Sequence, residues 1–475
     1  MKKSQYNIIV PVKDEYVLYN TLRGTLTIID EDTYHVLKTG KGPQDIIQML
    51  HRQGALLDTE NEKKILDNHL EKKKTLPLKT GYRGKDIGTV EFLNFIITHE
   101  CNLACTNCYK KTDPCSGHMD KSQAEKGIKF AQKEMEKNAP NTLFVSFYGG
   151  EPVLNKEVMF YTADALERIC DTLGGTCMIK IFTPGTLLDK QFLDTLSQYT
   201  VADIHITVDA PESVHNRQRV YPDKTSSFEA VLKGAERAED MGFNIIFRVN
   251  ISKDHPDVIP FLIKLKEHIE TAHIYLGTTE PRMDYCTHYY SSYGFPGDTD
   301  LFTDIIFTAA QHKIDILPFG AGINFSLCAS STPYFHIIDV DARVYKCMSL
   351  VGRTRHAVGV LRPDGTLDKT PVYDEWLDRD PLLIPECSEC TLFPVCRGGC
   401  SAIAWREHNS NANSNANSNA NSNANSNANS NSNTYNAPGC FTINLKKQIL
   451  SAPPVQKYLK TKENEIKKRK VKKAK

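Results

Sequence analysis

Between Val90 and Gly277, six short apolar runs alternate with longer amphipathic ones, and that alternation leaves few folds open. The runs Val90–Ile97, Leu143–Phe147, Met178–Phe182, Asp203–Val208, Asn244–Val249 and His273–Gly277 read as strands. The segments Lys121–Lys137, Lys156–Thr172, Asp189–Gln198, Ser227–Met241 and Pro256–His268 read as helices between them. Strands separated by helices of this length form βαβ units around a parallel sheet. An α/β fold with a partial (β/α)6 barrel is therefore expected over residues 89–321. Catalytic groups in such a fold collect at the C-terminal ends of the strands.

The cysteines are the second constraint. There are 14 in a large chain with no apparent export signal, so metal binding or redox work is favoured over disulfides. Three follow the first barrel strand directly, in Thr98-His-Glu-Cys101-Asn-Leu-Ala-Cys105-Thr-Asn-Cys108-Tyr109. Three thiolates on one short loop can ligate three irons of a cubane cluster. Such clusters normally take four Cys ligands, so a missing fourth leaves one iron open to a substrate. Structural zinc wants four closed ligands, and inert core thiols fit poorly in a loop flanked by polar residues. A second group runs Cys387-x2-Cys390-x5-Cys396-x3-Cys400, with Cys328 and Cys347 before it and Cys440 after it. On spacing alone a zinc ribbon and an iron–sulfur site are equally open. Cys170 on a predicted helix and Cys177 at a strand start read as packed residues. Cys115 lies just beyond the first loop, and Cys286 stands alone.

The flanks differ in character. Residues 1–88 hold three short strand candidates, Tyr6–Val10, Tyr16–Asn20 and Thr25–Ile29. Helical stretches follow at Asp30–Thr39, Pro43–Arg52 and Thr59–Lys74. From periodicity alone this is a small strand-and-helix unit. Residues 322–450 carry the second cysteine group and an Asn-Ala-Asn-Ser tract at 409–433, which has no apolar residue larger than Ala and is expected to be disordered. A long loop costs little entropy, so Cys440 can return to its neighbours across it. The tail, 451–475, is strongly basic. Ten of the 58 basic and two of the 57 acidic side chains fall in residues 456–475, leaving the remainder acidic by about seven charges. Such a tail reads as solvated rather than as a nucleic-acid site. No apolar run is long enough to span a bilayer, and the first residues lack a signal-peptide core. A cytoplasmic protein is expected, with no membrane partner.

Cys101-x3-Cys105-x2-Cys108 after a first barrel strand resembles the radical S-adenosylmethionine (SAM) superfamily. Supporting motifs follow in order. Phe147-Tyr-Gly149-Gly150-Glu151-Pro152 resembles the family's Gly-Gly-Glu segment, which contacts the SAM amino group. Thr183-Pro184-Gly185 stands where relatives often have Thr-Asn-Gly, so Pro184 removes a side-chain contact from that position. Ile206-Thr207-Val208-Asp209, then His215-Asn-Arg-Gln-Arg219, resembles the fourth-strand segment of peptide- and sulfatase-modifying members. By this resemblance Thr207 and Arg219 help hold the SAM carboxylate, and Arg248 and Asn250 are further candidates. Asn107 replaces an aromatic residue frequent before the third cysteine.

The later cysteines resemble the SPASM domain, which binds two auxiliary four-iron–four-sulfur clusters. The resemblance assigns Cys387, Cys390, Cys396 and Cys440 to one, and Cys328, Cys347 and Cys400 to the other. Three clusters and SAM are thus the implied cofactors. Sulfatase-maturing relatives have a cysteine six residues after the first of these, where this chain has Tyr334, which suggests an open iron able to bind a substrate thiolate. Ala342 stands where the family has Gly. Residues 1–88 look like the winged-helix leader-peptide recognition unit of enzymes that modify ribosomally made peptides, which would take a leader as an added strand.

The resemblance implies a peptide maturase of the sactisynthase or ranthipeptide type, forming a Cys thioether with electrons from a flavodoxin or ferredoxin. A sulfatase-maturing (formylglycine-forming) enzyme is the alternative. Met348 stands where those relatives carry Asp, which weighs against it. Carbon–carbon (cyclophane) coupling and epimerisation are further enzymatic alternatives. A zinc-stabilised binding protein is the non-enzymatic one.

Overall fold

The structure is a computed structural model. It describes residues 2–402 except 13, 24, 58–59, 61, 68–77, 83–84, 109–115, 252–257, 380–383, 385–386, 388 and 397–400, and of 279–328 only 305, 308, 309, 312, 314 and 316. Cys115, Cys286, Cys328, Cys400, Cys440, the Asn-rich tract and the basic tail lie outside these residues.

All six expected barrel strands form. They are β7 (Lys85–Thr98), β8 (Thr142–Gly149), β9 (Thr176–Thr183), β10 (Val201–Asp209), β11 (Ile245–Ile251) and β12 (His273–Thr278). Each pairs in parallel with the next, in chain order. Helices cover one face: α3 (Lys121–Asn138), α4 (Lys156–Leu173), α5 (Lys190–Leu196), α7 (Phe228–Asp240) and α8 (Ile259–His268), with the short α6 (Glu212–Gln218) after β10. Alternation along the strands explains the layering. Leu93, Phe95 and Ile97 of β7 join Val145, Ile179, Ile204 and Phe247 in the main core with the helices. The residues between them point the other way, and Val90, Phe92, Phe144 and Met178 pack together at the base of that second face.

The first barrel strand is not an edge. On its other side lies β13 (Phe335–Ile338), parallel to it, with Phe335 opposite Phe92 and Ile338 opposite Phe95. β14 (Arg343–Tyr345), β15 (Gly359–Leu361) and β16 (Leu367–Lys369) continue the sheet by antiparallel pairing. The same sheet thus runs from the barrel into the cysteine-rich part of the chain. With β6 (Leu78–Tyr82), antiparallel to the start of β7, the sheet has 11 strands among the described residues, and its end strands, β12 and β16, are not paired with each other.

Of the expected N-terminal elements, the three strands and the first two helices form, while the third expected helix, Thr59–Lys74, lies largely outside the described residues. β2 (Asn7–Val12), β3 (Glu15–Asn20) and β4 (Thr25–Ile29) make an antiparallel sheet, and α1 (Glu31–Thr39) and α2 (Gln44–Arg52) pack on it. Asp30 caps α1 by accepting from Thr33 N, and Gly40 ends it in the left-handed conformation. β1 (Lys2–Lys3) pairs with β5 (Leu56–Leu57). No described helix is long and apolar enough to cross a membrane.

Helix α3 seats the strand that leads to the first cysteines. Asp120 caps its start, and Ala124, Ile128, Ala131 and Met135 face the core at helical spacing. Gly127 lets it approach β7: a Cβ there would lie 2.5 Å from Phe95 Cε1 and 3.1 Å from Ile338 Cδ1. Phe95 is fully buried and cannot swing aside. Overpacking costs about 1–3 kcal/mol, against about 0.5–1 kcal/mol gained from Ala over Gly inside a helix. Gly127→Ala is therefore expected to lower stability by about 1–2 kcal/mol in chemical denaturation, where propensity alone would raise it.

Candidate active site

The rim formed by the C-terminal ends of β7 to β11 carries most of the residues singled out from the sequence. The loop 101–108 leaves β7 there. Its backbone is pinned on the far side, where Ala104 N donates to Val220 O (2.7 Å) and Thr106 N to Gln218 O (2.7 Å). Asn102 Nδ2 donates to Thr186 Oγ1 (2.9 Å), tying the loop to the turn after β9. Leu103 is buried beneath it, while Cys101 is exposed and Cys105 and Cys108 are half-buried.

The thiols lie close enough to influence one another. The protein packed around Cys101 pushes its pKa up to about 12, and Glu151, Cys105 and Cys108 add to the rise. Burial also raises Cys105, with Arg219 opposing. Among the described residues no three His, Cys, Asp or Glu side chains converge on a single ion. Three soft thiol donors on one pinned loop are the donor set that an iron–sulfur cubane takes, each at a different iron.

Gly149 and Gly150 serve the loop first. A Cβ on Gly149 would lie 2.1 Å from Thr98 O, and one on Gly150 2.0 Å from Glu100 O. That close approach allows Gly150 N to donate to Thr98 O and Glu151 N to Glu100 O, each at 2.9 Å. The Glu151 side chain is fully buried. One oxygen accepts from Val153 N (2.9 Å) and the other from Thr183 Oγ1 (2.5 Å). Burial raises its pKa to about 7. Thr183 in turn accepts from Gly185 N (2.9 Å), closing the Thr-Pro-Gly turn. Glu151 and Thr183 are thus bound to each other.

Asp209, at the end of β10, is the hub that motif reading undervalued. It is fully buried. Arg219 Nε lies 3.1 Å from its Oδ1, and Asn250 Nδ2 donates to the same oxygen (2.8 Å). Asn107 Nδ2, from the cysteine loop, donates to Oδ2 (3.3 Å) and to Gln218 Oε1 (3.1 Å). Asn107, a departure from the family pattern, therefore links loop and barrel. Burial disfavours the Arg219 cation, yet Asp209, with Cys105 and Cys108, outweighs it and raises its pKa. Arg248 Nε donates to Asn250 Oδ1 (3.1 Å), which brings Arg248 into the same network. Thr207 sits opposite Arg248 in the β10–β11 register. The signal for Asp209 was its place in Thr207-Val-Asp209 at a strand end.

Two further links appear. His99 Nε2 lies 2.7 Å from Asp339 Oδ1, joining the approach to Cys101 with the turn after β13. Ala342, where the family has Gly, takes the left-handed conformation that Gly would favour, at φ +63°. Of the second cysteine group, Cys347 is buried in the main core, whereas Cys387 packs in a separate cluster with the N-terminal unit. Cys390 lies beside that cluster, and Cys396 ends the short helix Phe393–Cys396.

The profile of the radical SAM superfamily matches residues 95–265 of this chain. The Fe-coproporphyrin III synthase of Methanosarcina barkeri is 25% identical over 171 residues, 36% of this chain and 39% of that one. The GTP 3',8-cyclase of Chlorobaculum tepidum is 29% identical over 156 residues, 31% of this chain and 41% of that one. The chain therefore spans about two fifths of the curated relatives it matches, all of which are enzymes by name. The structure of anSMEcpe with bound AdoMet superposes with a TM-score of 0.54 at 19% identity, covering 66% of this chain and 90% of that one. Another, with AdoMet and a Kp18Cys peptide, gives a TM-score of 0.51, also at 19% identity and with the same coverage. These likenesses show a shared fold.

Removing the hub should be costly. Asp209→Ala leaves the Arg219 guanidinium desolvated without its counter-charge, a loss of about 3–5 kcal/mol. It also frees Asn107. The expected outcome is a lower denaturation midpoint together with reduced iron binding by the Cys101 loop, read from metal content after anaerobic reconstitution.

Proposed function

We propose that this chain is a radical SAM enzyme that oxidatively modifies a ribosomally made peptide, by joining a Cys sulfur to a carbon of another residue. The observation that carries the radical SAM part is the loop 101–108, pinned at the rim of the parallel strands beside Gly149–Glu151. Cys101, Cys105 and Cys108 would hold a four-iron–four-sulfur cluster and leave one iron for the SAM amino and carboxylate groups. When bound, the cluster supplies the electron that breaks a carbon–sulfur bond of the sulfonium.

The chain's own residues position and protect. Arg219, kept cationic by Asp209, is suited to the SAM carboxylate, with Thr207 and Arg248 nearby on the same rim. The Glu151 carboxyl is already engaged, so the contribution of Gly149–Glu151 to an ammonium group would come through the main chain.

The peptide substrate has separate support. anSMEcpe, which shares the fold, carries a Kp18Cys peptide in one structure. The antiparallel sheet and helices of residues 2–57 suit a module that binds a leader as an added strand. Cys387, Cys390, Cys396 and Cys440 would hold one auxiliary cluster. Cys328, Cys347 and Cys400 would hold another, whose open iron would take the substrate thiolate. Forming the thioether would pass a hydrogen atom from the carbon to the 5′-deoxyadenosyl radical, a proton from the thiol to solvent and one electron to the auxiliary cluster. Flavodoxin or ferredoxin in the cytoplasm would feed the first electron.

The test is anaerobic incubation with SAM, reductant and a short Cys-bearing peptide encoded beside this chain. Release of 5′-deoxyadenosine is expected, with a peptide mass lower by two hydrogens and its thiol no longer alkylatable. Cys101→Ala, Cys105→Ala or Cys108→Ala should each abolish both. No 5′-deoxyadenosine from the fully reconstituted chain would refute the radical reading. A peptide aldehyde in place of a blocked thiol would move the assignment to formylglycine chemistry.

A further inference from the structure

The N-terminal unit does not stand apart from the second cysteine group. Tyr6, Leu22 and Leu57 form one buried apolar cluster with Ile384, Cys387 and Phe393, more than 300 residues away in the chain. Tyr6 is 2% and Cys387 5% exposed. Cys390 packs against the same cluster. Thr21 Oγ1 donates to Thr391 O at 2.6 Å, directly after Cys390.

Both sides of this contact are stiff. On the cysteine side, Cys387 N donates to Ile384 O, Cys390 N to Cys387 O and Phe393 N to Cys390 O, a run of tight turns. On the other side, buried Asn20 Nδ2 donates to Asn7 Oδ1 (2.8 Å) and to Gly54 O (2.9 Å). Thr21 N donates to Tyr6 O (2.9 Å). The N-terminal sheet therefore presents a fixed apolar surface to the turn that carries Cys387 and Cys390.

We propose that Tyr6, Thr21, Leu22 and Leu57 form the protein wall of the metal centre held by Cys387 and Cys390, keeping water and chelators from it. The N-terminal unit then has a positioning role toward an auxiliary centre, besides any part in binding a peptide. The proposal rests on the reading of Cys387 and Cys390 as cluster ligands. An apolar shell around such a site controls solvent access, and loss of supporting contacts typically weakens metal retention by about 10–100-fold.

The test uses the full chain, reconstituted anaerobically, with Cys101→Ala, Cys105→Ala and Cys108→Ala combined so that bound iron reports only the later cysteines. Iron release to a chelator is followed by loss of the visible absorption band. In this background Tyr6→Ala should speed release by about tenfold or more, and Thr21→Val should act in the same direction by a smaller factor. Lys41→Ala, on an exposed turn of the same unit, should change nothing. In the complementary background, Cys387→Ala with Cys390→Ala, Tyr6→Ala should leave the remaining release rate unaltered. Unchanged release in the first background overturns the proposal. Equal acceleration in both also overturns it, because that is general loosening. Absence of iron from the triple-alanine parent removes the ligand reading itself, and the proposal with it.

Discussion

The contact between Gly149–Gly150 and the backbone of Thr98–Glu100 sets the geometry of the rim. Two main chains approach so closely there that no side chain fits between them. The start of the cysteine loop is consequently fixed relative to β8. Its middle is fixed to the segment after α6, through Ala104 and Thr106. A loop held at both places by main-chain hydrogen bonds needs no regular structure of its own to present three thiols. Asp209 adds the electrostatic half. A carboxylate with no solvent contact must be paired, and its partners come from the cysteine loop, from the segment after α6 and from β11.

A second buried polar group joins barrel and cysteine-rich region below the rim. Glu91 on β7 and His336 on β13 lie side by side, with Glu91 Oε1 3.6 Å from His336 Nδ1. Lys346 Nζ donates to the carbonyls of Thr332 (3.0 Å) and Phe335 (2.8 Å). Burial raises Glu91 to about 8 and lowers Lys346 to about 7, each partly offset by the other's charge. Burial also lowers His336. Groups this desolvated are costly to leave unpaired: the docking of β13 and β14 gives Lys346 two carbonyl acceptors, while Glu91 Oε1 and His336 Nδ1 find no hydrogen-bond partner among the described residues. That docking places Cys347, the next residue after Lys346, at the end of β14.

Periodicity made the secondary structure legible. Short apolar runs marked β7 to β12, and longer amphipathic stretches between them marked helices such as α3, because each pattern reflects how an element's faces meet the core. The grouping of Cys101, Cys105 and Cys108 was legible because three thiols within eight residues necessarily share one short loop. Glu151 and Thr183 were each visible as motif residues, but not that they bind one another, since nothing in a strand end says what its neighbour's side chain faces.

The sequence by itself determined the order of strands and helices, the position of the cysteine loop at the end of the first barrel strand, and the chemistry those thiols can do. Only the tertiary structure decided that β13 lies against β7, that Asp209 gathers Arg219, Asn250 and Asn107, and that Tyr6 and Leu57 cover Cys387. The physical reason is the same in each case. Local patterns record which face of an element is apolar, whereas a contact between distant segments is selected by shape, desolvation and hydrogen-bond satisfaction across the whole fold, and leaves no periodic trace in either partner.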